Sequence, residues 1–233
     1  MNLRLRGWKN KGPTPLPLSD PPPCPSLGGR GVDRHAKEYF FMNREELDNL
    51  SGGVASASYV RKAEEVCSVI HEILIAQGKT LSTAESCTSG RIAAEITSIS
   101  GSSAYFQGGL IAYQNEVKIK MLGVKAEIID TYDVVSEEVA REMVRGACCL
   151  FGTDYAIAST GYAGPSGGTE SIPVGTIWIA CGSVDNMKTK CLTGDLGRVQ
   201  NVERATKEAL SLMEEFLMEE CRRWNPAEGY FLS

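Results

Sequence analysis

Ser86 follows a short predicted strand at Leu81–Glu85 and opens the segment Ser86-Cys87-Thr88-Ser89-Gly90. A strand-to-helix turn at this point would set the hydroxyl beside unpaired helix N–H groups. That arrangement suits a serine attacking a carbonyl with oxyanion donors at hand. The alternative is that Ser86 or Thr88 only caps the helix. Cys87 is a rival nucleophile, because a helix N-terminus lowers a thiol pKa, or else a small buried residue. A serine nucleophile needs a base, and the chain has only two histidines, His35 and His71. His71 falls on the flank of an apolar helix stripe and reads as a surface or boundary residue. Lys118 is the leading base candidate. With Asn115 as a predicted N-cap, Lys118 lies in a first helical turn, where the dipole lowers an ammonium pKa toward the working range of a general base. Ser-Lys pairs are an established nucleophile–base solution, and a solvated surface lysine is the bland alternative. A third segment, Thr160-Gly161-Tyr162-Ala163-Gly164-Pro165-Ser166-Gly167-Gly168, is a glycine-rich loop after a predicted strand. Its backbone can approach a phosphate closely. No Gly-Lys-Ser/Thr follows, so it is not a P-loop, and a plain flexible connection stays open.

Elements of an α/β domain must position these residues. From residue 59 the pattern alternates. Ala63, Val66, Cys67, Ile70, Ile73 and Leu74 recur at helical spacing before Gly78. A strand is predicted at Leu81–Glu85, a helix from about Ser86–Thr88 through Ile96, a strand at Gly108–Tyr113 and a short helix from Asn115 to about Leu122. Ser136 is a predicted N-cap, followed by the stripe Val139, Met143, Val144, Ala147, Phe151 and the stop Gly152. Tyr155–Ser159 reads as a strand, Val174–Cys181 and Met187–Leu192 as a hairpin, and Val202 to Phe216 as a last helix. Mixed βα order with one hairpin predicts a single compact domain, a three-layer α/β/α sandwich on a mixed sheet. All three candidate segments then fall just after strands, where such sheets place ligands.

Composition bounds the rest. The 233 residues carry 24 Lys+Arg against 29 Asp+Glu, a net charge of −5. That balance argues against a protein that binds nucleic acid through bulk charge. No apolar run approaches the roughly 20 residues of a membrane span, and no secretory h-region is present. The scarcity of histidine excludes a His-rich metal site. Eight cysteines without a C-x-x-C pair read as reduced, buried thiols of a cytoplasmic protein. The first 41 residues hold seven of the ten prolines and seven basic against three acidic residues, so the remainder carries −9. A segment of this composition is expected to stay disordered. We expect residues 42–58 to be a linker, 59–222 the folded domain and 223–233 a C-terminal tail.

Several ordered stretches resemble the CinA C-terminal domain family, the nicotinamide-nucleotide amidases. They are Thr83-Ala84-Glu85-Ser86-Cys87-Thr88-Ser89-Gly90, Gly101-Ser102-Ser103, Ala112-Tyr113-Gln114-Asn115-Glu116-Val117-Lys118, Leu122-Gly123-Val124, Val135-Ser136-Glu137, Thr160-Gly161-Tyr162-Ala163-Gly164-Pro165, Gly167-Gly168, Pro173-Val174-Gly175 and Gly194-Asp195. They span about residues 60–220. The resemblance implies a compact α/β domain that hydrolyses the carboxamide of nicotinamide mononucleotide to nicotinate mononucleotide and ammonia, without metal or cofactor. It implies Ser86 as nucleophile, Lys118 as base, Tyr113 assisting proton transfer or holding the lysine, and Thr88 with neighbouring amides at the oxyanion site. Cys87, Ser89, Gly90, Asn115, Thr160, Gly164, Gly167 and Gly168 would line the substrate pocket. The sequence departs from the family pattern at Ser89 and Ser166, at Tyr162 where a small aliphatic residue is usual, and at Ile172 where a lysine is frequent. The roughly 60 residues ahead of the domain are too few for the larger N-terminal domain often fused to this family. The implied partner is a small nucleotide, with no nucleic acid or membrane, and homo-oligomerisation is left open. Two other readings stand beside the amidase: a non-catalytic nucleotide-binding relative, and a serine amidase for another small amide.

Overall fold

The computed structural model describes residues 63–225 and 230–231. The expected proline-rich segment 1–41 and linker 42–58 lie outside the described residues. The chain runs α1 (Ala63–Gln77), β1 (Leu81–Glu85), α2 (Arg91–Thr97), a 3-10 turn (Ser102–Ala104), β2 (Phe106–Ile111), α3 (Asn115–Leu122), α4 (Ala126–Tyr132), α5 (Glu137–Phe151), β3 (Tyr155–Gly161), β4 (Ile177–Gly182), β5 (Met187–Leu192) and α6 (Arg198–Arg223). A two-residue pair, β6 (Trp224–Asn225) with β7 (Tyr230–Phe231), follows antiparallel.

The main sheet has the order β2-β1-β3-β4-β5. β2, β1 and β3 are parallel, whereas β4 and β5 add antiparallel. β1 and β3 are covered on both faces and almost wholly buried, as expected of central strands in a layered α/β fold. One core packs α1, α2 and α6 on one face, through Ile70, Ile92, Ala209, Met213 and Phe216. The second packs α3 and α5 on the other, through Leu122, Val139, Met143 and Ala147. The three-layer α/β/α sandwich on a mixed sheet is therefore the observed fold.

Ser136 caps α5, its hydroxyl accepting from the Val139 amide at 3.3 Å, and Gly152 ends that helix in the left-handed region. β2 runs Phe106–Ile111 and not Gly108–Tyr113, and α6 extends beyond Val202–Phe216 at both ends. Four further features differ from expectation. The helix after β1 starts at Arg91, because Ser89 (φ 53°) and Gly90 (φ 90°) take left-handed conformations that interrupt it. The N-cap of α3 is Gln114, so Asn115 is its first residue. β4 starts at Ile177, because Gly175 turns with φ 89° against the Gly194 backbone, where a Cβ would lie 2.4 Å from a carbonyl oxygen. The helix α4 has no buried residue and hence no apolar stripe to announce it. His71 is half-buried, its ring edge-on to Tyr105 at 5.4 Å.

Candidate active site

Register builds the site. β1 and β2 run parallel with Glu85 beside Ile111, and β1 and β3 with Glu85 beside Ser159. The residues leaving the three strands therefore emerge side by side at the carboxyl edge. Ser86 anchors its amide on the Ser159 carbonyl at 3.0 Å, and the Ala112 amide binds the Glu85 carbonyl at 2.7 Å. α3 begins three residues after Ala112. Helical side chains lean toward the N-terminus, so Lys118 is directed back over the strand ends.

Lys118 is 1% exposed. Its Nζ donates to the Ala112 carbonyl at 2.8 Å, to the Ser86 hydroxyl at 3.2 Å and, more weakly, to the Tyr113 carbonyl at 3.5 Å. No carboxylate among the described residues forms an ion pair with it. Burial without a counter-charge brings its pKa down to about 8. The lowering expected from the helix dipole thus has desolvation as its main cause.

The turn holding Ser86 is braced from behind by Glu85, itself 1% exposed. Its Oε2 accepts from the Thr88 hydroxyl at 2.7 Å and the Gly90 and Ile92 amides at 2.9 and 3.1 Å; Oε1 accepts from the Ala93 amide at 2.8 Å. A carboxylate at the positive end of α2 is electrostatically well placed. It also occupies the helix N–H groups that the sequence suggested as oxyanion donors. Thr88 lies behind the site, its buried hydroxyl shared between Glu85 and Ser159. Burial raises the Cys87 thiol to about 12, so it is neutral beside Ser86.

A cavity of about 240 Å³ opens onto the pair. Ser86, Cys87, Tyr113, Asn115, Lys118, Thr160 and Gly164 line it, together with Val134, Val135, Tyr162, Ser166 and Arg198. Ser89, Gly90, Gly167 and Gly168 do not line this cavity; Gly167 backs the Tyr162 ring instead. Thr160 points its hydroxyl at the Val134 carbonyl, 2.7 Å away. Tyr113 touches the lysine through its backbone carbonyl, while its phenolic oxygen accepts from Arg198 at 3.4 Å. Arg198 also donates to the Gly164 carbonyl at 2.8 Å, and the buried Asn201 side chain donates to Ala163 at 3.1 Å. The start of α6 therefore fastens the glycine-rich loop.

Sequence reasoning missed Arg198 and the bracing role of Glu85. Arg198 stands 80 residues from Lys118 in a stretch without a pattern of its own. Glu85 carried a signal, an acidic residue closing a short strand of small and apolar residues. Among the described residues no group of three or more His, Cys, Asp or Glu side chains is placed to hold a metal, no cysteine is disulfide-bonded, and no helix is long and apolar enough to cross a membrane.

A serine hydroxyl in contact with a buried lysine, at the strand ends of a doubly covered mixed sheet, defines the class: an α/β protein with a Ser-Lys site. Residues 63–217 match the CinA C-terminal domain family, and the chain belongs to it. A CinA-like protein of Shewanella piezotolerans is 45% identical over 139 residues, covering 58% of this chain and 33% of that protein. One from Synechocystis is 40% identical over 179 residues, covering 76% and 40%. The chain thus spans about a third of the length of the curated relatives it matches. Among solved structures, the competence damage-inducible protein A of Klebsiella pneumoniae superposes with a TM-score of 0.65 at 34% identity, covering 71% of this chain and all of that one. The competence/damage inducible protein CihA of Agrobacterium tumefaciens gives 0.62 at 37% identity, covering 64% and 92%.

Proposed function

We propose that the chain is an amidase that hydrolyses the carboxamide of nicotinamide mononucleotide, yielding nicotinate mononucleotide and ammonia. The observation that carries the reading is the 3.2 Å contact between Lys118 Nζ and Ser86 Oγ, made by a lysine whose pKa has fallen to about 8. At that value a usable fraction is neutral near pH 7, and the neutral amine takes the Ser86 proton as Oγ bonds to the amide carbon. The tetrahedral oxyanion needs donors. The Cys87 and Thr88 amides, which follow Ser86 in the turn and bind no backbone carbonyl among the described residues, are the backbone candidates. Lys118 then returns the proton to the nitrogen, the C–N bond breaks and ammonia leaves. Water, deprotonated by the same lysine, cleaves the Ser86 ester and releases the carboxylate product.

One feature supports a nucleotide substrate: Arg198 supplies a permanent positive charge at the cavity, suited to a phosphate. The test is ammonia release from nicotinamide mononucleotide by the purified chain. Ser86→Ala is expected to lose several orders of magnitude in turnover, about 10⁴-fold or more, and still bind the nucleotide. Cys87→Ala is expected to keep turning over. If Ser86→Ala stays active while Cys87→Ala does not, the nucleophile is the thiol and the Ser-Lys assignment is wrong.

A further inference from the structure

Tyr162 is used neither by the Ser-Lys pair nor by its bracing, yet it joins two pocket walls, adding a second side-chain tie to the Thr160 hydroxyl on the Val134 carbonyl at 2.7 Å. Its hydroxyl donates to Asp133 Oδ1 at 3.1 Å. The same carboxylate oxygen accepts from the Val135 amide at 2.9 Å, and the Ser136 hydroxyl donates to the Asp133 carbonyl at 2.8 Å. Asp133 holds this position with φ 71°, a left-handed conformation costly for a residue with a side chain. Val134 and Val135, which line the cavity, are thereby fixed by the Asp133 knot. On its other side the Tyr162 ring lies against Gly167, where an added Cβ would sit 3.1 Å from the ring. The Tyr162 backbone is itself clamped, its amide to Thr176 at 3.0 Å and its carbonyl to Gly175 at 2.7 Å.

The location separates this residue from the reacting atoms. Ser86 hangs on Ser159, and Tyr162 lies three residues further along an extended chain, about 10 Å at the rise of a strand. It therefore faces the part of the cavity left for the non-reacting portion of the ligand. We propose that Tyr162 is a specificity-determining positioning residue, which clamps the 133–135 wall to the glycine-rich loop and preorganises the cavity for the nucleotide moiety. This deepens the amidase reading above and rests on it. A preformed wall spares the ligand the cost of ordering the loops, so the clamp acts on affinity and leaves the Ser86–Lys118 geometry alone.

The experiment measures KM and kcat for nicotinamide mononucleotide, and the Kd of nicotinate mononucleotide by calorimetry, in wild type, Tyr162→Ala, Tyr162→Phe, Asp133→Ala and the Phe/Ala double variant. Tyr162→Ala is expected to raise KM and Kd about tenfold or more with kcat held within about threefold. Tyr162→Phe keeps the ring on Gly167 and loses only the tie, so its rise is smaller, about threefold. The double variant should be no weaker than the worse single one, because both remove the same bond. A KM and Kd within twofold of wild type in both Tyr162 variants overturns the clamp, as does a fall in kcat with KM unchanged. If Tyr162→Ala does not fold, the Phe variant and the double-variant cycle decide the matter. Wild type that binds nicotinate mononucleotide but releases no ammonia defeats the amidase reading, while the Kd series still judges Tyr162. Wild type that binds no mononucleotide overturns both.

Discussion

Glu85 and Lys118 are equally buried, carry opposite charges and sit one strand apart at the same sheet edge, yet their surroundings differ in kind. Glu85 receives four hydrogen bonds, three from amides at a helix start. Lys118 has two carbonyls and a hydroxyl and forms no ion pair among the described residues. The first environment surrounds the carboxylate with donors; the second gives the buried amine no counter-charge, and burial depresses its pKa to about 8. The contrast separates a carboxylate that holds shape from an amine that can exchange a proton. It also explains why the glutamate faces the helix and the lysine faces the cavity.

The largest effect that tests this contrast is on turnover. Lys118→Met is expected to lower ammonia release by about 10²-fold or more with the fold intact, the low end of a general-base contribution. Near-normal turnover would remove Lys118 as base and reopen the question of His71. Glu85→Ala should act the other way, on stability first. It strips the acceptor from the Thr88 hydroxyl and three amides, an expected loss of about 2–4 kcal/mol by denaturant unfolding. Glu85→Gln keeps one acceptor oxygen and should recover part of that loss. If Glu85→Ala proves as stable as wild type but loses turnover like Lys118→Met, the division between shape and chemistry fails.

β1 and the helix carrying Lys118 were legible because pattern and punctuation agreed there, whereas β2 ends at Ile111, two residues short of the expected Tyr113. Leu81–Glu85 and Asn115–Leu122 stand where the sequence put them. Ser86 and Lys118 could be paired in advance, since scarce histidine left few bases. The turn between Ser86 and Gly90 was not legible. Its geometry depends on a left-handed serine and on a carboxylate reaching up to eight residues forward to Ala93, contacts without periodicity. Arg198 was hidden for a related reason: it reaches Gly164 and Tyr113 only after α6 packs across the sheet. The cause of the lysine shift was also out of reach, because a local sequence shows a helix position but not that the amine is buried.

A smaller effect concerns pH. If neutral Lys118 is the base, kcat/KM for nicotinamide mononucleotide should rise with pH and level off above about 8. A profile flat from pH 6 to 10 would contradict a lysine base. The neutral Cys87 thiol, raised to about 12, should meanwhile react slowly with iodoacetamide at pH 7.

The smallest effect is on stability and has an unusual sign. The unfolded chain holds Lys118 at its ordinary value near 10.5, the folded chain at about 8. Between those values the unfolded state binds the extra proton, so stability rises with pH across that window. Below about 8 both states are protonated, and the folded state bears the whole cost of the buried charge, about 3 kcal/mol for such a shift. Lys118→Met removes that cost and leaves the Ala112 carbonyl and the Ser86 hydroxyl without their donor, which returns about 1–2 kcal/mol of it. The inactive variant should therefore be more stable than wild type at pH 7 by about 1 kcal/mol. Its advantage should shrink, and then reverse, as the pH approaches 10.5, where wild type no longer carries the charge in either state. Urea unfolding of both chains at pH 7 and pH 10 reads the difference. A variant less stable than wild type at pH 7, with a gap that does not change with pH, would mean that the lysine is charged and well solvated in the fold, and the proton-exchanging role assigned to it would go.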